Sequence, residues 1–165
     1  MSLIYIDGIP EEFTGEIKDY AGRNIHRWDG PALEKANGKV WYVNGLVHRK
    51  NAPAVEYADG NKQWWVHGYL HRNDGPAIER SDGSKFWYIN GVWHREDGPA
   101  LEYADGSRAW YLNGKKHRED GPAVELANGD KQWWYRDKDY SLEGFLKVAN
   151  LPEEEAVLLT LTYKA

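Results

Sequence analysis

The sequence predicts a mainly β protein: an elongated antiparallel sheet of stacked β-hairpin repeats, about 23 residues each, with a short, partly helical C-terminal cap. Three observations carry this. A His-Arg pair recurs at His26, His48, His71, His94 and His117, at spacings of 22, 23, 23 and 23. Asn-Gly or Asp-Gly pairs recur in phase with it, at Asn37, Asp59, Asp82, Asp105 and Asn128. Between them lie segments of strand composition, such as Ala54-Val55-Glu56-Tyr57-Ala58 and Lys62-Gln63-Trp64-Trp65-Val66.

Each element of the repeat has a physical reason. Asn-Gly and Asp-Gly supply the positive backbone angles of tight hairpin turns. A Pro-Ala pair at Pro31, Pro53, Pro76, Pro99 and Pro122 follows a second turn, where proline blocks further ladder pairing. The expected unit is therefore a hairpin plus a short return segment carrying His-Arg. No unit can bury its own face, so neighbours must stack.

In the first repeat a two-residue loop at Asn37-Gly38 would pair Ala36 with Lys39, Glu34 with Trp41 and Leu33 with Tyr42. Later repeats insert one residue after the glycine (Asn61, Ser84, Ser107, Asp130), and a three-residue loop with a bulge would keep that pairing. One face then carries the repeated Ala, Glu, Lys or Arg, and Trp. The other carries Leu33, Val55, Ile78, Leu101 and Val124, the second aromatic, and positions that vary.

The ends differ, and the chain divides into 1–19 as an N-terminal strand and cap, 20–139 as five to six hairpin repeats, and 140–165 as a C-terminal capping segment. Ile4–Ile6 reads as a strand, and Tyr20 to His26 as a degenerate half repeat. Ser141 is placed to cap a helix with Leu142, Phe145, Leu146 and Ala149 on one face. Asn150-Leu151-Pro152-Glu153-Glu154-Glu155 starts a further element, acidic as a helix N-terminus favours, whose continuation, Val157 to Tyr163, reads as helix or strand.

Composition limits the function classes. The 165 residues hold nine Trp and eleven Tyr but three Phe, one Met and no Cys. Aromatics with a polar edge suit half-buried positions in a thin sheet. Without cysteine there are no disulfides, thiolate metal sites or cysteine nucleophiles. The formal charge of −5 argues against a general duplex-DNA binder and against attraction to anionic membranes. No apolar run is long enough to span a bilayer and the start lacks signal-peptide character, so a cytoplasmic setting is expected.

The His-Arg column invites a metal reading, but strands about 4.8 Å apart leave equivalent histidines roughly 10 Å from one another. Zinc holds its nitrogens near 2.1 Å, and His67 with His71 is only a weak pair across a turn. No metal or cofactor is expected. A catalytic set needs different residues converging at one place, whereas here the same polar residues recur. The expectation is a structural ladder of His48, Arg49, His71, Arg72, Glu79, His94, Arg95 and Glu102, with Arg forks on Glu and with Asp29, Asp74, Asp97 and Asp120 capping their own turns. Asn51 stands in for that aspartate once.

The segment Trp41-Tyr-Val-Asn-Gly-Leu-Val-His-Arg49 resembles the MORN repeat. The recurring His-Arg-x-Asp-Gly-Pro-Ala is similar to the MORN-variant form of bacterial and bacteriophage proteins. It spans about Tyr20 to Tyr135 and departs from the standard repeat in having Arg after His and Gly-Pro-Ala after the second turn. The resemblance implies an antiparallel hairpin sheet with a scaffold or binding role. The functional expectation is a non-enzymatic scaffold that binds another protein, with a phage-encoded inhibitor of a host defence protein, acting in the host cytoplasm, as the narrower form. The alternative is a nucleotide- or glycan-binding module using exposed Trp, Tyr and Arg. Columns that do not repeat are not required by stacking, so the candidate binding residues are Tyr57, Trp65, Tyr69, Arg80, Trp93 and Tyr103.

Overall fold

A computed structural model describes residue 27 and residues 29–163; the expected N-terminal strand and the half repeat at Tyr20 to His26 lie outside them. The fold is mainly β, built of consecutive antiparallel hairpins and ended by two helices. The chain forms two compact units, one up to Gly91 and one from Val92. In the first, the sheet strands run in chain order through Leu33–Lys35, Gly38–Val40, Val55–Tyr57, Lys62–Gln63, Ile78–Glu79 and Lys85–Phe86. In the second they are Leu101–Glu102, Arg108–Ala109, Val124–Glu125, Lys131–Tyr135 and Lys138–Tyr140.

The register differs from the sequence expectation by two residues. Leu33 pairs with Val40, Glu34 with Lys39 and Lys35 with Gly38, so the first loop is Ala36-Asn37. Gly38 enters the strand instead of the turn, at a position only glycine fits, since a side-chain carbon there would meet the Glu56 carbonyl oxygen at 2.5 Å. In the next repeat Tyr57 N–H donates to Asn61 O (2.9 Å) and Gly60 N–H to Tyr57 O (3.0 Å). This is the expected three-residue loop with a glycine bulge, Gly60 at φ 93, but it closes on Ala58-Asp59-Gly60 and sets Glu56 against Lys62. A shift of two preserves the pleat's parity, so the two faces keep their expected residues.

The return segment is a second hairpin. The expected strand Lys62–Val66 breaks at Trp64, whose N–H donates to Ala77 O of the next repeat (2.8 Å). Beyond it Trp65–Val66 pairs with Tyr69–Leu70 around His67-Gly68, both at positive φ (50 and 80) as a type I′ turn requires. Tyr42–Val43 with Leu46–Val47, and Tyr111–Leu112 with Lys115–Lys116, repeat the design. In the first unit these pieces close a core of Ala32, Leu33, Val40, Tyr42, Val47, Ala54 and Val55. Burial pushes the Tyr42 phenol up to about 12.

The C-terminal segment covers the last repeat. Ser141 Oγ accepts from Gly144 N–H (3.2 Å) and starts α1, Leu142–Val148. Glu153–Tyr163 resolves the open alternative as a helix, α2, with three glutamates in its first turn. Phe145 is fully buried against the Trp133 ring (4.9 Å), and Tyr163 meets that ring edge-on at 5.2 Å. Truncating Phe145 to Ala removes the anchor of α1. We expect a loss of about 3 kcal/mol in a urea melt, and an unchanged midpoint would show that the helices do not cap the sheet.

Candidate binding surface

The in-phase polar residues are committed to the array. Arg72 shows how. Its guanidinium lies over the ring of Trp64 in its own repeat, 4.1 Å from the centroid. Nη1 reaches forward to Glu79 Oε1 (3.0 Å) and Pro76 O (3.2 Å), and Nε donates to Asp74 Oδ1 (3.0 Å). The other side is closed by Gly75, where a side-chain carbon would sit 3.0 Å from Arg72 Cζ. Arg118 repeats the arrangement with Trp110 (4.0 Å), Glu125, Asp120 and Gly121. Arg95 repeats its bonds to Glu102, Asp97 and Pro99.

The aspartates therefore hold the arginine two residues earlier as well as shaping their turns. That contact holds the Asp29, Asp74 and Asp97 carboxyls below their ordinary range, the arginine hydrogen bond being the largest cause. The second repeat is the exception that explains the glycine. It carries Asn51-Ala52 in place of Asp-Gly, and Asn51 turns into the left-handed region at φ 61. Arg49 there keeps Trp41 (3.8 Å), Glu56 (2.7 Å) and Pro53 O (3.0 Å), with no aspartate on Nε.

Glu56, Glu79 and Glu125 also stand between two basic residues across the strands. Glu79 is in register with Lys62 and Lys85, and Arg108 with Glu102 and Glu125. The histidines serve a contact that sequence reasoning missed. His48 Nδ1 accepts from His67 N–H (3.2 Å), His94 Nδ1 from Asn113 N–H (3.1 Å) and His117 Nδ1 from Arg136 N–H (3.2 Å). Each bond runs to the tight turn of the following repeat. The close histidine pair is His48 with His67, ring centroids 4.6 Å apart, rather than His67 with His71. Among the described residues no three His, Asp or Glu side chains are grouped to hold a metal ion.

The candidate binding residues fall in both units. In the first, Tyr57 packs with Trp65 on the core cluster, and burial raises its phenol pKa. Trp65 Nε1 donates to Gln63 Oε1 (2.9 Å), as Trp134 does to Gln132 (3.1 Å). Where the second aromatic is Tyr, as at Tyr42, Tyr88 and Tyr111, the partner column is Val40, Phe86 or Ala109. These columns thus vary as a pair, a signal two positions apart on one strand face. Tyr69 is 60% exposed, its ring edge against the Gly91 turn. Arg80 is exposed, with its guanidinium 5.1 Å from the Phe86 ring. In the second unit Trp93 is half-buried against Tyr111 (4.8 Å), and Tyr103 is 45% exposed. Tyr69, Arg80 and Tyr103 are therefore presented to solvent, whereas Tyr57, Trp65 and Trp93 support the fold.

The second unit also has an open cleft of about 710 Å³ lined by Trp110, His117, Arg95, Arg118, Asp97 and Asp120. Both of its guanidiniums are held by carboxylates, so it offers no uncommitted anion clamp. No family model and no curated protein matches this chain.

The ladder predicts a graded response. Arg72→Lys keeps the charge and loses both the ring stacking and the fork. It should cost about 1–2 kcal/mol in a urea melt. Glu79→Ala, at a more exposed site, should cost about 1 kcal/mol. A smaller loss at Arg72→Lys than at Glu79→Ala, or negligible loss at both, would contradict the arginine's central place.

Proposed function

We propose that the chain is a non-enzymatic β-repeat scaffold that binds another protein through its non-repeating aromatic and basic residues. The observation that carries this is the contrast between two residue sets. Polar groups that recur in every repeat are spent on neighbouring repeats, whereas Tyr69 and Tyr103 stand 60% and 45% exposed at positions the array does not specify. Tyr and Arg are the side chains that dominate interface energetics. A narrower proposal rests on the resemblance to the MORN-variant repeats of bacteriophage proteins: a phage-encoded inhibitor that occupies a host defence protein in the host cytoplasm. That step is an analogy of fold, and function must come from the site itself. Among the described residues, no helix is long and apolar enough to cross a membrane.

A nucleotide or glycan module would need open ring faces beside available arginines. Trp41, Trp64 and Trp110 each carry a guanidinium on the ring, which favours the protein reading. The test is affinity capture from bacterial lysate with mass spectrometry, using the native chain, Tyr69→Ala and Tyr103→Ala. We expect a protein held by the native chain and weakened at least tenfold by one variant whose melt is unchanged. Saturable binding of a nucleotide or glycan with no protein captured would overturn the proposal.

A further inference from the structure

We infer that the histidine column is a pH-sensitive latch, fastening the tight turn of each repeat to the repeat before it and releasing it in mild acid. The reasoning begins with hydrogen-bond direction. A backbone N–H can only donate, so Nδ1 of His48, His94 and His117 must present a lone pair to His67, Asn113 and Arg136. His71 is the exception: its Nδ1 stands 3.2 Å from Asn90 N–H but only 2.9 Å from Asn90 Oδ1, an oxygen that accepts from a protonated Nδ1. In the other three rings the proton of the neutral form is on Nε2, where His94 points at Glu96 (3.7 Å) and His117 at Glu119 (3.5 Å). A second proton goes to Nδ1 and turns an acceptor into a donor aimed at a donor.

The turns these bonds hold are otherwise lightly tied. Their glycines give one further bond backward, Gly68 N–H to Val47 O (3.0 Å), Gly91 to Leu70 O (2.9 Å) and Gly114 to Trp93 O (2.8 Å). The Arg136-Asp137 turn is tied more firmly, by Asp137 N–H to Lys116 O (2.9 Å) and Lys116 N–H to Asp137 Oδ1 (3.4 Å), so loss of the histidine contact matters most at the glycine turns.

The charged surroundings differ along the column. His48 faces the His67 imidazole, and both its burial and that neighbour hold its pKa below the ordinary value. His71 faces the Asn90 side-chain oxygen. His94 faces Glu96. His117 faces Glu119 and the Tyr135 ring (4.8 Å), and shares its cleft with Arg95, Arg118, Asp97 and Asp120. For His48 the sign is set by its lowered pKa. Its contribution is fully present above the unfolded value of about 6.5 and is lost as pH falls through the folded one.

Amide hydrogen exchange on the full chain, with imidazole titration followed by NMR, tests this independently of what the protein binds. Between about pH 7.5 and 5, protection factors at His67, Asn113 and Arg136 should fall by up to about tenfold per pH unit, following each ring, and Asn90 should fall less because its histidine keeps an acceptor. The sheet amides of Glu56 and Glu125 should hold. His94→Gln supplies a carboxamide oxygen that accepts at any pH, so Asn113 should lose its pH dependence while His67 retains it. Constant protection at the three amides through the imidazole titration, a fall shared equally with the sheet, or continued acid loss at Asn113 in His94→Gln would each overturn the latch. If that variant does not fold, the native chain's three amides decide alone.

Discussion

The fold depends on one contact, an arginine guanidinium held flat between its own repeat's tryptophan and the next turn's glycine. In that position the planar ion offers its edge to the following repeat, where a glutamate, a proline carbonyl and an aspartate receive it. A short hairpin has too little apolar area to stand alone. The arginine converts a stack of such hairpins into a chain of mutual supports, since each repeat supplies the ring and cation for one neighbour and the carboxylate for the other. Much else follows. Glycine after the aspartate lets the guanidinium lie close to the turn, and where the second repeat has Ala52 instead, the backbone is left-handed at Asn51.

A molecule that spends its recurring charges in this way has little left for general electrostatic attraction. Glutamates alternate with lysines across the strands, and Arg72, Arg95 and Arg118 are each neutralised by two carboxylates. What the array leaves unspent is side-chain shape at positions free to differ between repeats. Even there the freedom is partial, because a tryptophan in the second aromatic column brings a glutamine to satisfy its indole N–H. Specificity of such a surface lies in which rings reach solvent.

Hairpins were legible in the sequence because turn chemistry is local: Asn-Gly, Asp-Gly and proline each constrain one or two dihedrals. The faces were legible too, since pleat parity survives a register shift of two. The register itself was not, because the closeness of Gly38 to Glu56 is a contact between strands, invisible to turn rules. Arg-to-Glu pairing was expected from the geometry of the fork and is present in four consecutive repeats. The histidine bonds were missed because they join residues nineteen apart across a repeat boundary. The Trp–Gln pairing is readable two positions apart in the sequence, Gln63 with Trp65 and Gln132 with Trp134. Of the candidate residues, Tyr57 and Trp93 show the limit of the argument: a column can vary and still be packed.

Trp133 draws out a consequence for how such a protein changes its length. It has the same column position as the tryptophans that carry arginines, but the chain beyond it supplies Phe145 and Tyr163 instead. The array thus ends where the arginine is exchanged for a helix-borne ring, and nothing in the preceding repeats refers to their number. In-frame duplication or loss of one repeat brings or removes a tryptophan, an arginine and a glutamate together and leaves the terminal ring still covered. Gain or loss of whole repeats is therefore a structurally conservative route to longer or shorter forms, each presenting a different set of solvent-facing aromatics.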